Sequence, residues 1–379
     1  MKYMGSKSAM LRNGLGELLS EQVPVKSRFF DLFCGSGSVA GHVAQQFDIP
    51  VIAGDLQKYA VVLAAAQVEQ TVTFSSNSVW TSWQRKANVW LGDNLQSLEV
   101  ACQMSDLSGS VCEMRRTVSL ARDFCGGLSS AFSLSRAYGG YYYSPLQAMY
   151  LDALRFTLPR KHSVAALAAL ISASSTCAAA PGHTAQPFGT KDSALPHLAT
   201  AWLKDLPLCT QKEFEKNSTK IAKRKGSALQ NDAETLTEKM RDGDIAFIDP
   251  PYSEVQYSRF YHVLEAIALG CAGEVSGSGR YVSILQRPQS KFSRTTQSSN
   301  AFEELMRRVS ASGADALVTF PAGNASNGLS GLRVEEISDK YFCVKKRKIT
   351  STFSTLGGNA ISRSARQSTT ELILHLVQK

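Results

Sequence analysis

The stretch RFFDLFCGSGSVAGHVAQQF, residues 28–47, decides the fold. Residues 29–33 are apolar apart from Asp31 and read as a buried strand. A turn of small residues follows, and Val39, Val43 and Phe47 then recur at helical spacing. The unit repeats at once. PVIAGDLQ gives a second strand, residues 51–53, that closes on Asp55, and YAVVLAAAQVEQ gives a second helix. Strand, helix, strand, helix at this spacing predicts an α/β fold with a parallel, doubly wound sheet.

Residues 75–227 break the rhythm with mixed helical windows, the Ala-rich VAALAALISASSTCAAA and the loops AYGGYYYSP and APGHTAQPFG. The alternation resumes with GDIAFIDPP, with ALVTF at residues 316–320, and with ELILHLV near the end. We therefore expect residues 1–74 and 228–379 to form the sheet domain, with 75–227 inserted as a largely helical region.

In DLFCGSGS, Gly35 and Gly37 stand between a strand and a helix, where glycine permits positive φ and close approach of a ligand to the backbone. The amides at a helix start favour an anionic or polar group. The third position of the dinucleotide fingerprint is Ala40 rather than glycine, and no Lys-Ser/Thr pair of a P-loop follows. Asp55 ends the next strand, where a carboxylate can accept from both hydroxyls of a ribose. An ordinary tight turn with a surface aspartate is the plain alternative.

IAFIDPPYSEVQY, residues 245–257, raises the chemistry. A buried strand ends on Asp249, two prolines fix the backbone, and Tyr252 offers a flat ring. Ligands of open α/β sheets sit outside the carboxyl ends of strands. Asp249 and the Pro250 carbonyl supply two acceptors for the two N–H bonds of a planar amino group. Such an amine is a poor nucleophile because its lone pair is delocalised into the ring; holding its hydrogens out of plane turns that pair toward an electrophile. Positioning and electrostatics then carry the catalysis.

Composition sets outer bounds. Lys+Arg number 41 against 32 Asp+Glu, a net charge of +9 that suits a polyanionic partner without specifying chemistry. The eight cysteines form no C-x-x-C pair, and the N-terminal residues are too polar for a secretory leader. The Ala-rich window lacks the bulk and length of a membrane span. No Cys/His/Asp cluster has ligand spacing, so no metal is expected. These features point to a cytoplasmic chain with no membrane association.

At this point the sequence resembles the α-group SAM-dependent DNA adenine-N6 methyltransferases, the Dam-like group, and DPPYSEVQYSRFYHVLEAIA is similar to the FokI modification type. DLFCGSG looks like their SAM loop, DPPY like their catalytic motif, and KYMGSK (residues 2–7) like the N-terminal motif beside the methionine part of SAM. The resemblance implies a Rossmann-like class I methyltransferase domain with a target-recognition insertion, S-adenosyl-L-methionine as cofactor and double-stranded DNA as substrate. It also implies a prokaryotic or phage origin and a cognate restriction or defence partner. Asp249, Pro250, Pro251 and Tyr252 would be catalytic. Tyr3, Lys7, Asp31, Phe33, Gly35, Gly37 and Asp55 would hold the cofactor, Lys7 near its carboxylate. Asp232 in QNDAETL would contact the cofactor adenine, with GDNLQSL at Gly92 as the competing segment. Tyr257 and Arg259 would wall the flipped base or reach a phosphate, and His262 reads as a hydrogen-bonded helix residue.

Lys223, Arg224 and Lys225 close the densest basic segment and are candidate phosphate contacts, or else a solvated face. KKRK, residues 345–348, is a second contact or a charged edge strand, and GHTAQPFG, residues 182–189, a loop suited to close DNA approach or an ordinary surface connection. Three alternatives stay open: the same chemistry on RNA adenine, the same chemistry on cytosine N4, and a silent SAM-binding recognition subunit.

Overall fold

The structure, a computed structural model, describes residues 7–354 and 366–379. Nine strands occur among them: β1 (Phe29–Asp31), β2 (Val51–Asp55), β3 (Ser227–Gln230), β4 (Ile245–Ile248), β5 (Val275–Ser276), β6 (Tyr281–Val282), β7 (Asp315–Pro321), β8 (Phe342–Ser354) and β9 (Arg366–Gln378). Seven form one sheet in the order β3-β2-β1-β4-β7-β9-β8. The first five in that order run parallel, and β9 is antiparallel to both of its neighbours. This is the Rossmann-like α/β architecture expected from the sequence.

Burial explains the order. β1 and β4 lie in the middle and every residue in them is buried, which suits the unbroken apolar run IAFI and the pair Phe29–Phe30 ahead of the buried Asp31. The ends of the sheet are managed differently. β3 is only half-buried, and β8 presents Lys345, Lys346, Arg347 and Lys348 to solvent, so KKRK is a charged edge strand. Charges on an edge discourage pairing with another chain. Lys346 pairs with Glu335 and Arg347 with Glu21.

The antiparallel β9 has a positional consequence. The parallel strands finish along one side of the sheet, and β9 begins there: Glu371 lies opposite Pro321, the last residue of β7. Ile248 pairs with Val318 in the β4–β7 register, so Asp249 comes beside Thr319. A core of Phe30, Ile248, Phe302, Leu305, Val318, Ile337 and neighbouring residues packs beneath this edge.

The described residues group into two compact units. The sheet unit takes residues up to Val72, Ile221–Tyr257 and those from Gln289 on; the helical unit takes Thr73–Lys220 and Ser258–Pro288. The sequence reading had left 258–288 with the sheet part of the chain. In the helical unit the Ala-rich window is the buried helix Ser163–Cys177, packed against Leu206–Thr219. Asn217 Nδ2 donates to the Ala165 carbonyl between them at 3.1 Å. Capping boxes at Ser110/Glu113 and Ser144/Gln147 fix two helix starts. No helix among the described residues is long and apolar enough to cross a membrane.

Candidate functional site at the strand ends

β1 and β4 are neighbours in parallel register, Asp31 opposite Phe247, and the Leu32 amide donates to the Phe247 carbonyl at 3.0 Å. The glycine turn and the Asp-Pro-Pro-Tyr loop therefore leave the sheet side by side. β2 delivers Asp55 on the other flank of β1.

Gly35 and Gly37 both adopt positive φ, 47° and 71°. A Cβ on Gly37 would also lie 2.7 Å from Gln67 Nε2 and 3.0 Å from Ala64 Cα, so conformation and space both require glycine. Asp55 holds the turn in place. Its Oδ2 accepts from the Gly35 amide at 3.0 Å and its Oδ1 from the Gln57 amide at 2.9 Å, while burial lifts its pKa to about 6. Phe33 is half-buried, edge-on to Phe292 at 5.0 Å. The Cys34 thiol is buried and its pKa pushed well up by that burial, which suits a packing role and not a nucleophile.

Asp31 is strongly perturbed. Its Oδ2 accepts from the Ala40 amide at 3.2 Å, but Oδ1 is buried without a hydrogen-bond partner among the described residues. Burial, reinforced by the Asp249 charge, lifts its pKa to about 8.

Asp249 stands beyond β4 with its side chain 18% exposed. Both of its hydrogen bonds engage Oδ1, from Lys7 Nζ at 3.0 Å and Thr319 Oγ1 at 2.8 Å. Burial raises its pKa, and Lys7 acts against that rise. Lys7 is itself 5% exposed and reaches a second carboxylate, Glu371, at 3.3 Å. Desolvation alone would lower the lysine pKa; the two carboxylates outweigh it and the ammonium is held. The resemblance implies a place for Lys7 near the cofactor carboxylate; within the protein it pairs with these two acids. Asn327 Nδ2 donates to the Pro251 carbonyl at 2.8 Å and to Phe292 at 2.9 Å, tying the proline loop to the sheet unit. Tyr252 is half-buried against the core, its hydroxyl bonded to Tyr257, and burial raises both phenol pKa values, Tyr257 to about 12.

Asp232 follows β3 and caps the helix Ala233–Thr237, accepting from the Thr235 amide at 2.7 Å. Its competitor Asp93 lies between two helices, Ser76–Gly92 and Leu95–Met104, in the helical unit, away from any strand end. Tyr3 lies outside the described residues.

The proposed DNA contacts are dispersed. Lys223 Nζ donates to the Gln46 carbonyl at 2.6 Å and Arg224 pairs with Asp48 at 3.2 Å, all on the surface, while Lys225 is exposed. Arg259, in the helical unit, is exposed and lies over the Tyr281 ring at 4.9 Å. His262 is buried, its Nδ1 is 3.1 Å from the Arg259 carbonyl, and burial pulls its pKa down to about 4, so it stays neutral.

Three residues that hold this arrangement were not read from the sequence: Thr319, Asn327 and Glu371. The rule that exposed Asp249 would have found the first, because Thr319 lies near the end of a parallel strand. Glu371 is a charge opening an apolar run, ELILHLV. Its place depends on an antiparallel pairing that no local pattern encodes.

Comparison with known proteins adds family evidence. The profile described as D12 class N6 adenine-specific DNA methyltransferase matches residues 3–88 and 124–320. The chain is 26% identical over 321 residues to the type II methyltransferase M.FokI of Planomicrobium okeanokoites, covering 82% of this chain and 43% of that protein. It is 44% identical over 68 residues to the modification methylase LlaI of Lactococcus lactis subsp. lactis, covering 18% of this chain and 10% of that protein. The chain thus spans less than half the length of either relative.

Proposed function

The chain belongs to the family of D12 class N6 adenine-specific DNA methyltransferases, and from that premise we propose that it methylates N6 of adenine at a specific sequence in double-stranded DNA, with S-adenosyl-L-methionine as donor. The observation that carries this reading is the placement of Asp249: an acid at the end of a central strand, held through Oδ1, beside two prolines and a tyrosine and next to the glycine turn.

The residues present fit the cofactor. Gly35 and Gly37 give a backbone open to close approach, Asp55 offers a carboxylate for two ribose hydroxyls, and Asp31 Oδ1 is a buried polar atom with no partner among the described residues. Lys7, Phe33 and Asp232 complete the proposed binding set. S-adenosyl-L-methionine supplies an electrophilic methyl on a positive sulfur. Asp249 Oδ2 and the Pro250 carbonyl accept the two amino N–H bonds and turn the lone pair out of the ring plane. Tyr252 stacks on the extruded adenine, worth about 1–3 kcal/mol, which offsets part of the unstacking. The amine must then lose a proton, and Asp249, lifted above the ordinary carboxylate range, is the nearest acceptor. Lys7 keeps that carboxylate ionised before the base arrives.

Lys223, Arg224, Lys225, Tyr257 and Arg259 are the proposed DNA contacts. The names of the two relatives, a type II methyltransferase and a modification methylase, support a modification role; a cytoplasmic location and a restriction, defence or epigenetic setting, with a cognate partner in the first two, belong to the proposal. Modification-sensitive sequencing of DNA treated with protein and S-adenosyl-L-methionine tests the reading. N6-methyladenine in one sequence context is expected; methylated cytosine, or no modified base, would overturn it.

A further inference from the structure

The helical unit carries a surface that methyl transfer does not use. The hairpin β5–β6 and the turn after it, residues 275–287, contain Arg280, Tyr281, Ile284, Leu285 and Arg287. Leu285 is 93% exposed, the most exposed large apolar side chain among the described residues, and Ile284 beside it is 60% exposed. Isolated exposed leucines are ordinary. This pair sits at the tip of a 3-10 turn, Ile284–Gln286, capped by Ser283, so its position is built and held.

In the same unit two tyrosine rings each carry two guanidinium groups. Tyr281 lies under Arg259 at 4.9 Å and Arg287 at 5.6 Å; Tyr141 lies under Arg122 at 4.3 Å and Arg280 at 4.7 Å. Burial and the facing Arg259 charge both draw the Arg287 pKa down, the signature of cations crowded together. Glu274 is the only carboxylate between Cys271 and Pro288. Arg280 adopts φ +53°, a left-handed backbone rare for a side chain of this kind, and is pinned by the Ala137 carbonyl at 2.8 Å.

The platform beneath is rigid. The Tyr142 hydroxyl reaches the carbonyls of Thr184 and Gly279 at 2.7 and 2.9 Å, the Tyr281 hydroxyl donates to Ala185, and the neutral His262 ring packs 4.8 Å from Tyr281. The hairpin is thereby locked to the GHTAQPFG loop.

We propose that this surface grips and opens duplex DNA, with Arg259, Arg280 and Arg287 on phosphates and Leu285, backed by Ile284, inserted between base pairs as a wedge. An apolar tip flanked in the chain by Arg280 and Arg287, with Arg259 stacked on the same hairpin through Tyr281, offers cations for phosphates and an apolar side chain for the stacked interior. The inference rests on the DNA methyltransferase reading and adds the element that separates the bases.

The test uses the full chain and a short duplex bearing the target found by modification sequencing, either fully paired or with the target adenine mismatched. Leu285→Ala is expected to lower kcat/KM about tenfold on the paired duplex, to leave the salt slope of binding unchanged, and to recover on the mismatched duplex, where the bases are already loosened. Arg259→Gln with Arg287→Gln should make the salt slope shallower by about two, with no recovery on the mismatch. Wild-type rates for Leu285→Ala, an equal deficit on both duplexes, or an unchanged salt slope for the arginine pair would each overturn the proposal. So would a change in self-association with DNA parameters intact, which would make the tip a protein interface. If the wild type modifies no adenine, the methyltransferase reading fails by itself, and the salt slope on a random-sequence duplex still judges the arginine surface.

Discussion

Both units bury aspartates, and Asp152 of the helical unit is treated differently from Asp31 and Asp249 at the strand ends of the sheet unit. In the helical unit, Asp152 accepts from the Leu134 amide at 2.9 Å on one oxygen, and from the Ser135 amide at 2.8 Å and Ser135 hydroxyl at 2.6 Å on the other. In the sheet unit, among the described residues, Asp31 Oδ1 has no hydrogen-bond partner and Asp249 is held through Oδ1. A perturbed pKa does not separate the two cases. Burial lifts Asp152 to about 6, the same as Asp55 at the glycine turn. What separates them is hydrogen-bond accounting. Asp152 takes three donors from its own chain, Asp55 takes one backbone amide on each oxygen and keeps a second lone pair on each, and Asp249 takes both of its donors on one oxygen.

The sharpest way to break this comparison is Asp249→Asn. It should cut methyl transfer by about a thousandfold, measured with labelled donor, while duplex affinity stays near the wild type. A mild loss of rate would mean that the one-sided holding of Asp249 is incidental. Next is Asp152→Ala, which strands three donors and should lower unfolding free energy by about 2–3 kcal/mol in denaturant titration. The rate per folded molecule should hold; a collapse of rate at full folding would put Asp152 in the chemistry.

The smallest effect is a pH dependence at Asp31. Its carboxyl titrates near 8 when folded and about 4 when unfolded, so between those values the folded chain retains a proton that the unfolded chain has lost. Stability from this group is therefore full at low pH and declines as pH rises through that window. Asp31→Asn has no proton to lose there. Thermal melts at pH 5 and pH 9 should show a larger drop for the wild type than for the variant, by a few degrees; parallel drops would mean that Asp31 is better solvated than its burial implies.

The sheet unit was legible because its signals are local. Strand ends at Asp55 and Asp249 and the glycine turn are written in consecutive residues, and β1, β2, β4 and β7 fall within two residues of their sequence reading. β3 escaped notice because SALQ is short, half-buried and weakly apolar. The hairpin β5–β6 escaped because its two-residue strands lie in a Gly/Ser run, and the arginine–tyrosine stacks join residues as distant as Arg122 and Arg280. Thr319, Asn327 and Glu371 reach the site only through sheet register and loop closure, which no window of sequence contains.

The ion pair between Lys7 and Glu371 joins positions 364 residues apart. During synthesis, Lys7 leaves the ribosome long before its second carboxylate exists, and β9 must thread between β7 and β8 before the lysine is balanced. A contact of such separation forms late, since the chain between must be ordered first. Under the proposed function, the balanced Lys7 beside Asp249 would exist only after residue 371 has been made and docked, so that a nascent chain would hold its glycine turn before it could act on DNA.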